Sequence, residues 1–202
     1  MKTVRAERRG VPKAERRRRL SPEDWIDAAL NALVEEGIEG VRVDRLCRDL
    51  GVTKGSFYHH FESRDGLLEV LAAYWADIAP HQAVAVVDSF KGDAMKQLIE
   101  VARLVADRDI GRRDHAMRAW AAADQRAARS VQRADRKILG VLEKIMAGLG
   151  VPEDEIHPLA RVLFFASLGA YDAPTIFDGR SRDSLARYLL RLVGERAERS
   201  TG

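Results

Sequence analysis

The chain has 202 residues, 46% hydrophobic and 32% charged, with 34 Lys+Arg against 31 Asp+Glu for a formal net charge of +3; such a balance excludes wholesale disorder and suits one domain, or a small one joined to a medium one. Its single cysteine, Cys47, excludes an intrachain disulfide and a cysteine-based zinc site and points to a reduced, cytoplasmic setting. No uninterrupted apolar run approaches the ~18–20 residues of a membrane helix, and the charged first twenty residues lack the apolar stretch of a secretory signal.

The near-neutral total conceals an asymmetry. Residues 1–20 hold nine basic side chains against Glu7 and Glu15, leaving 25 basic and 29 acidic residues in the remainder. This segment reads as a flexible basic arm facing nucleic acid, an anionic membrane surface or plain solvent; it lacks the apolar face that membrane insertion needs. Order is expected from Ser21-Pro22-Glu23-Asp24, because serine caps well, proline fits the first helical position and acids suit the positive end of the helix dipole. Trp25, Ile26, Ala29, Leu30, Leu33 and Val34 then recur at helical spacing up to Gly37. A short helix is predicted over 43–50, with Val43, Leu46, Cys47 and Leu50 on one face. Gly51 turns the chain into a third helix capped by Thr53. Ser63 caps a fourth, carrying Leu67, Leu68, Leu71 and Trp75, and the remainder beyond Pro80 also reads helical. Short helices joined by a glycine-containing turn match helix-turn-helix geometry. Further helices are predicted over 93–106, 114–123, 125–149, 155–172 and 184–193. No segment reads as a strand, so the fold class is all-α.

The run Gly51-Val52-Thr53-Lys54-Gly55-Ser56-Phe57-Tyr58-His59-His60-Phe61, followed by Ser63-Arg64-Asp65-Gly66-Leu67, resembles the DNA-binding domain of the tetracycline-repressor (TetR) family of bacterial transcription regulators. By motif the resemblance covers about Ser21 to Trp75; beyond that it is one of helix number and length. Phe57 and Phe61 stand four apart on one face and read as core. A recognition helix reads bases mainly through its N-terminal residues while neighbouring groups hold phosphates, so the residues expected to face DNA are Arg42, Thr53, Lys54, Gly55, Ser56, Tyr58, His59 and Arg64. The resemblance implies Tyr58 on a phosphate or a thymine methyl. The sequence departs from the family pattern where Arg42 stands in place of the Ser or Thr that usually caps the second helix, and where Cys47 replaces a small residue in the seam. Arg64 replaces the more common lysine and is expected to reach phosphate. His59 and His60 diverge around the helix with no third ligand nearby, so no metal site is expected.

The resemblance further implies three parts: a basic arm over 1–20, a helix-turn-helix domain over 21–66, and a helical ligand-sensing and dimerisation domain over 67–202. Bound ligand would swing the linking helix and misalign two recognition helices that read a palindromic double-stranded operator. The last two helices carry more apolar surface than one core face requires, and Ala166-Ser167-Leu168-Gly169-Ala170 supplies small residues for close helix approach in a homodimer. Candidates for lining a small-molecule pocket are Trp75, Met117, Trp120, Asp124, Phe164, Phe165, Tyr171 and Asp172. No glycine-rich phosphate loop, nucleophile motif or metal cluster is present, so neither an enzyme nor a cofactor is expected. The expected function is a ligand-released repressor, with a regulator that uses the C-terminal helices only for dimerisation or a protein partner as the alternative.

Overall fold

The computed structural model describes residues 20–172 and 179–199. The basic arm, apart from Leu20, lies outside them. Among the described residues there are nine α-helices, one 3-10 turn and no strand. Helix α1 (Pro22–Glu36) opens as its sequence predicts: the Asp24 carboxylate accepts the Ser21 N–H at 2.7 Å. The 3-10 turn Ile38–Gly40 leads to α2 (Val43–Asp49) and α3 (Lys54–Tyr58). Between these two, Gly51 takes φ 65°, a backbone region that penalises a Cβ. Helix α4 (Arg64–Ser89) is capped by the Ser63 hydroxyl, which accepts from Gly66 N–H at 3.1 Å.

The remaining helices are α5 (Ala94–Ala106), α6 (Arg108–Ala121), α7 (Gln125–Gly148), α8 (Glu153–Asp172) and α9 (Gly179–Arg199). Boundaries differ from the sequence expectation at α6 and at α9, which runs Gly179–Arg199 against an expected 184–193. Helix α6 begins six residues before Asp114, because the Asp107 carboxylate caps it by accepting from the N–H groups of Asp109 (2.9 Å) and Ile110 (3.2 Å). Its first turns carry little apolar periodicity, which hides them from a pattern reading. Helix α4 runs on through Pro80. Proline there cannot donate to the carbonyl four residues back, and that carbonyl, on Ala76, instead accepts from the Lys137 ammonium of α7 at 3.1 Å. A tertiary contact thus satisfies the carbonyl that the proline leaves without a donor.

One buried cluster joins the N-terminal helices to α6 and α7: Trp25, Leu30, Leu46, Phe57 and Leu71 are continuous with Met117, Trp120 and Val131. The 66/67 boundary falls inside α4, and the N-terminal helices share this core with the helices behind them. A second cluster, built on Leu98, Leu142, Ile145, Met146, Phe164 and Val193, holds α5, α7, α8 and α9 together. By length and composition α4 is apolar enough to cross a membrane. Here it is a core helix: Leu67, Leu68, Leu71, Trp75 and Ala83 are buried, and the carbonyl of Ala72 accepts from the buried Ser130 hydroxyl.

Candidate functional site

The short α3 is held from behind by aromatic packing. Phe57 is fully buried, edge-on to Trp25 at 5.3 Å between ring centroids and 5.5 Å from Phe61. Pinning this face turns the others outward. Thr53, Lys54, Gly55 and His59 are exposed, Ser56 is half-buried, and Tyr58 keeps 58% of its surface exposed. A Cβ on Gly55 would meet only the Thr53 hydroxyl, at 3.6 Å, so nothing within the chain demands glycine there; a closely approaching backbone would. The Lys54 ammonium pairs with Asp44 of α2 at 2.6 Å, both side chains largely in solvent. That hydrogen bond raises the Lys54 pKa and lowers that of Asp44, leaving an exposed cation at the start of the helix. Arg42 precedes α2 without capping it and lies 3.9 Å from Glu36.

Behind the face, Arg45 is buried to 8% exposure and gathers Glu35 and Glu36 from the end of α1 with Asp49 of its own helix. The helices meet closely here: a Cβ on Gly40 would sit 2.7 Å from the Glu36 Cβ and 2.8 Å from the Ala32 carbonyl oxygen. Arg64 does not point out to solvent as expected for a phosphate ligand. Its guanidinium donates to the carbonyls of Val41 (2.5 Å) and Ile38 (2.7 Å), tying the start of α4 to the link between α1 and α2.

Away from this face, α4, α5, α6, α7, α8 and α9 line a partly open cavity of about 220 Å³. Its walls are largely apolar, with Gln82 and Ser167 among them, and carry one charged corner, where Asp114 and Arg118 of α6 meet Asp135 of α7. Burial works against the Arg118 charge, but hydrogen bonds to Asp135 and Asp114 outweigh it and hold its pKa above the ordinary arginine value.

Residues 26–71, from the buried face of α1 through α3 into α4, match the family model described as "Bacterial regulatory proteins, tetR family". This segment of the chain is of the TetR family. The chain is 41% identical over 54 residues to the tetracycline repressor protein class D of Escherichia coli, an alignment covering 27% of this chain and 25% of that protein. The match therefore spans about a quarter of that relative's length. Beyond it the likeness is to solved structures. A transcriptional regulator from Saccharomonospora viridis in complex with choline aligns with TM-score 0.69 and 17% identity over 85% of this chain and 94% of that one. The regulator FadR from Bacillus subtilis in complex with stearoyl-CoA aligns with TM-score 0.64 and 16% identity over 86% and 97%. At such identities the likeness shows the fold.

Behind this TetR-family segment the pocket candidates divide. Trp75 and Phe164 line the cavity. Met117 and Trp120 do not; they are buried in the cluster shared with α1 and α3, because that side of α6 faces the N-terminal helices. Phe165 is 64% exposed on the outer side of α8. Tyr171 and Asp172 end α8, and their side chains lie outside the described residues. Asp124 is a helix cap, accepting from the Arg126 N–H at 2.8 Å and from its guanidinium. Those hydrogen bonds, chiefly from the Arg126 side chain, hold its pKa at about 2. A carboxylate depressed on folding contributes stability above its unfolded pKa, ~3.9, and loses it as pH falls through the folded value. Asp124→Asn should therefore cost about 1–2 kcal/mol at pH 7, and the gap to the parent should close between about pH 4 and 2. Thermal unfolding across that range measures it.

Arg45, Arg126 and Lys137 were not singled out from sequence. Arg126 reaches across to Asp65 (3.3 Å) and Glu69 (3.6 Å) at the start of α4, locking α7 to the helix that follows the reading head. Only the i,i+4 spacing of Arg45 and Asp49 carried a local signal; Arg45 meets Glu35 and Glu36 about ten positions back, and the links of Arg126 and Lys137 to α4 join residues about sixty positions apart.

Proposed function

We propose that this chain is a ligand-responsive transcriptional regulator acting in the cytoplasm, a homodimeric repressor that binds a palindromic operator through α3 and is released by a small-molecule inducer. The observation carrying the reading is the double role of α6. One side of it supplies Asp114 and Arg118 to the cavity, while Met117 and Trp120 pack into the core that holds α1 and α3. A ligand that shifts α6 would bias the angle of the reading head, a differential interaction with two states, which ligand control requires. Solved structures of the same fold hold choline and stearoyl-CoA, which favours a ligand-binding role for the helices behind the reading head.

Two copies are favoured by the outer side of α8 and α9, where Val162, Phe165 and Tyr188 are exposed and a Cβ on Gly169 would meet nothing within 4 Å. Burying such a patch against its own copy yields the two-fold symmetry that a palindrome matches, with reading helices ~34–36 Å apart. Lys54, Thr53, Ser56, Tyr58 and His59 would meet the duplex, with Lys54 exchanging Asp44 for a phosphate.

The test is fluorescence anisotropy on duplexes from the DNA upstream of the chain's own coding sequence, with random duplex as control. Lys54→Ala and Tyr58→Ala should each weaken the specific complex about 5- to 30-fold, the 1–2 kcal/mol of one lost contact. Light scattering should still give the mass of two chains. Equal affinity for upstream and random DNA would overturn the regulator reading, and a one-chain mass the dimer.

A further inference from the structure

We propose that the cavity selects its ligand by charge: it takes a small apolar body carrying a hydrogen-bond-donating head group, an amine above all, and rejects a carboxylate of the same shape. The proposal rests on the ligand-responsive reading and adds the chemical class that reading lacks.

Size and wall chemistry set the body. Trp75, Leu98, Leu142, Leu163, Phe164 and Leu189 surround about 220 Å³. A dry cavity of about 150 Å³ holds benzene, so this one suits a single ring with a short chain.

The corner sets the head group. Among the described lining residues Arg118 is the one cation, and three of its five N–H donors, one on each nitrogen, are engaged by carboxylates. Nε donates to Asp114 at 2.7 Å, while Nη1 and Nη2 donate to the two oxygens of Asp135 at 3.0 and 2.7 Å. Its guanidinium carbon also lies 5.9 Å from the Phe164 ring centroid. An entering carboxylate would shed its water to meet a guanidinium neutralised in a bidentate pair, with two carboxylates beside it. At an apolar wall that like-charge repulsion is screened far less than in water. A donor head group meets the opposite situation. Each carboxylate oxygen accepts more than one hydrogen bond, so an ammonium or hydroxyl can join Asp135 or Asp114 without displacing Arg118.

The test compares three ligands of one shape, 3-phenylpropylamine, 3-phenylpropan-1-ol and 3-phenylpropanoate, by isothermal titration calorimetry on the full-length protein at pH 7. The amine should bind at least about tenfold more tightly than the carboxylate, with the alcohol between them. Leu163→Trp, which fills the cavity, should abolish binding of all three. Asp135→Asn, which frees one side of Arg118, should narrow or reverse the amine–carboxylate gap. A carboxylate that binds the parent protein as tightly as the amine overturns the charge selection and leaves the cavity as a ligand site. No binding of any of the three at millimolar concentration overturns both the selection and the ligand-responsive reading behind it. Binding retained in Leu163→Trp, or a gap unchanged in Asp135→Asn, overturns the assignment to this corner.

Discussion

Replacing Phe57 by alanine is expected to cost about 3–5 kcal/mol of folding stability and to remove operator binding with it. Helix α3 has only five residues, far below the ~12–15 that an isolated helix needs to be even marginal in water. Its position therefore comes from what its buried face touches. Phe57 is that face: fully buried, edge-on to Trp25, and packed against Phe61. Truncation removes the burial, the aromatic geometry and the anchor at once, and leaves a cavity under the reading surface. Urea unfolding followed by far-ultraviolet circular dichroism measures the loss. Tyr58→Ala supplies the contrast, since that ring is mostly in solvent; it should stay within about 0.5 kcal/mol of the parent in stability while weakening DNA binding. If Phe57→Ala cost under 1 kcal/mol, α3 would have to be held by something other than this packing.

Arg118→Met should be the second severe substitution, costing about 2–4 kcal/mol at neutral pH. The side chain keeps roughly a quarter of its surface exposed, which places the expectation at the lower side of what breaking a fully buried pair costs. Methionine restores most of the volume, so the loss is electrostatic: Asp114 and Asp135 are left facing one another across the cavity corner without the guanidinium that joined them. The double variant Arg118→Met with Asp135→Asn should regain part of the loss, because it removes one of the stranded charges. A double-mutant cycle on the unfolding free energies reads this coupling directly. Strict additivity would mean that Arg118 acts through its aliphatic stem and not through the ion pairs.

The two substitutions probe parts of the molecule that differ in how openly the sequence announces them. The reading head is local. Ser21-Pro22, Gly37, Gly51 and Ser63 mark its turns and caps within a few residues of where they act, and the four-residue step from Phe57 to Phe61 selects the buried face. Periodicity and capping depend on neighbours in the chain, so they survive a reading in one dimension. Even here Arg64 shows the limit. Its position beside the DNA-facing surface was readable, yet its guanidinium is spent on the carbonyls of Ile38 and Val41, more than twenty residues back.

The cavity is the opposite case. Apolar helices α4 to α9 were evident, but which of their residues line a space and which fill a core depends on how each helix is rotated against several others. All four of Met117, Trp120, Trp75 and Phe164 are buried in the two core clusters, but only Trp75 and Phe164 are also turned so that they border the cavity. The run of α4 through Pro80 was likewise decided from a distance, by the Lys137 ammonium on the Ala76 carbonyl. By itself, the sequence determined an all-helical chain, the reading head and its exposed residues, since these follow from local caps and helical period. Only the tertiary structure decided the cavity, the pairing of Arg118 with Asp135 at its corner and the clamps of Arg126 and Lys137, since charged pairs between separate helices leave no periodic trace in the chain.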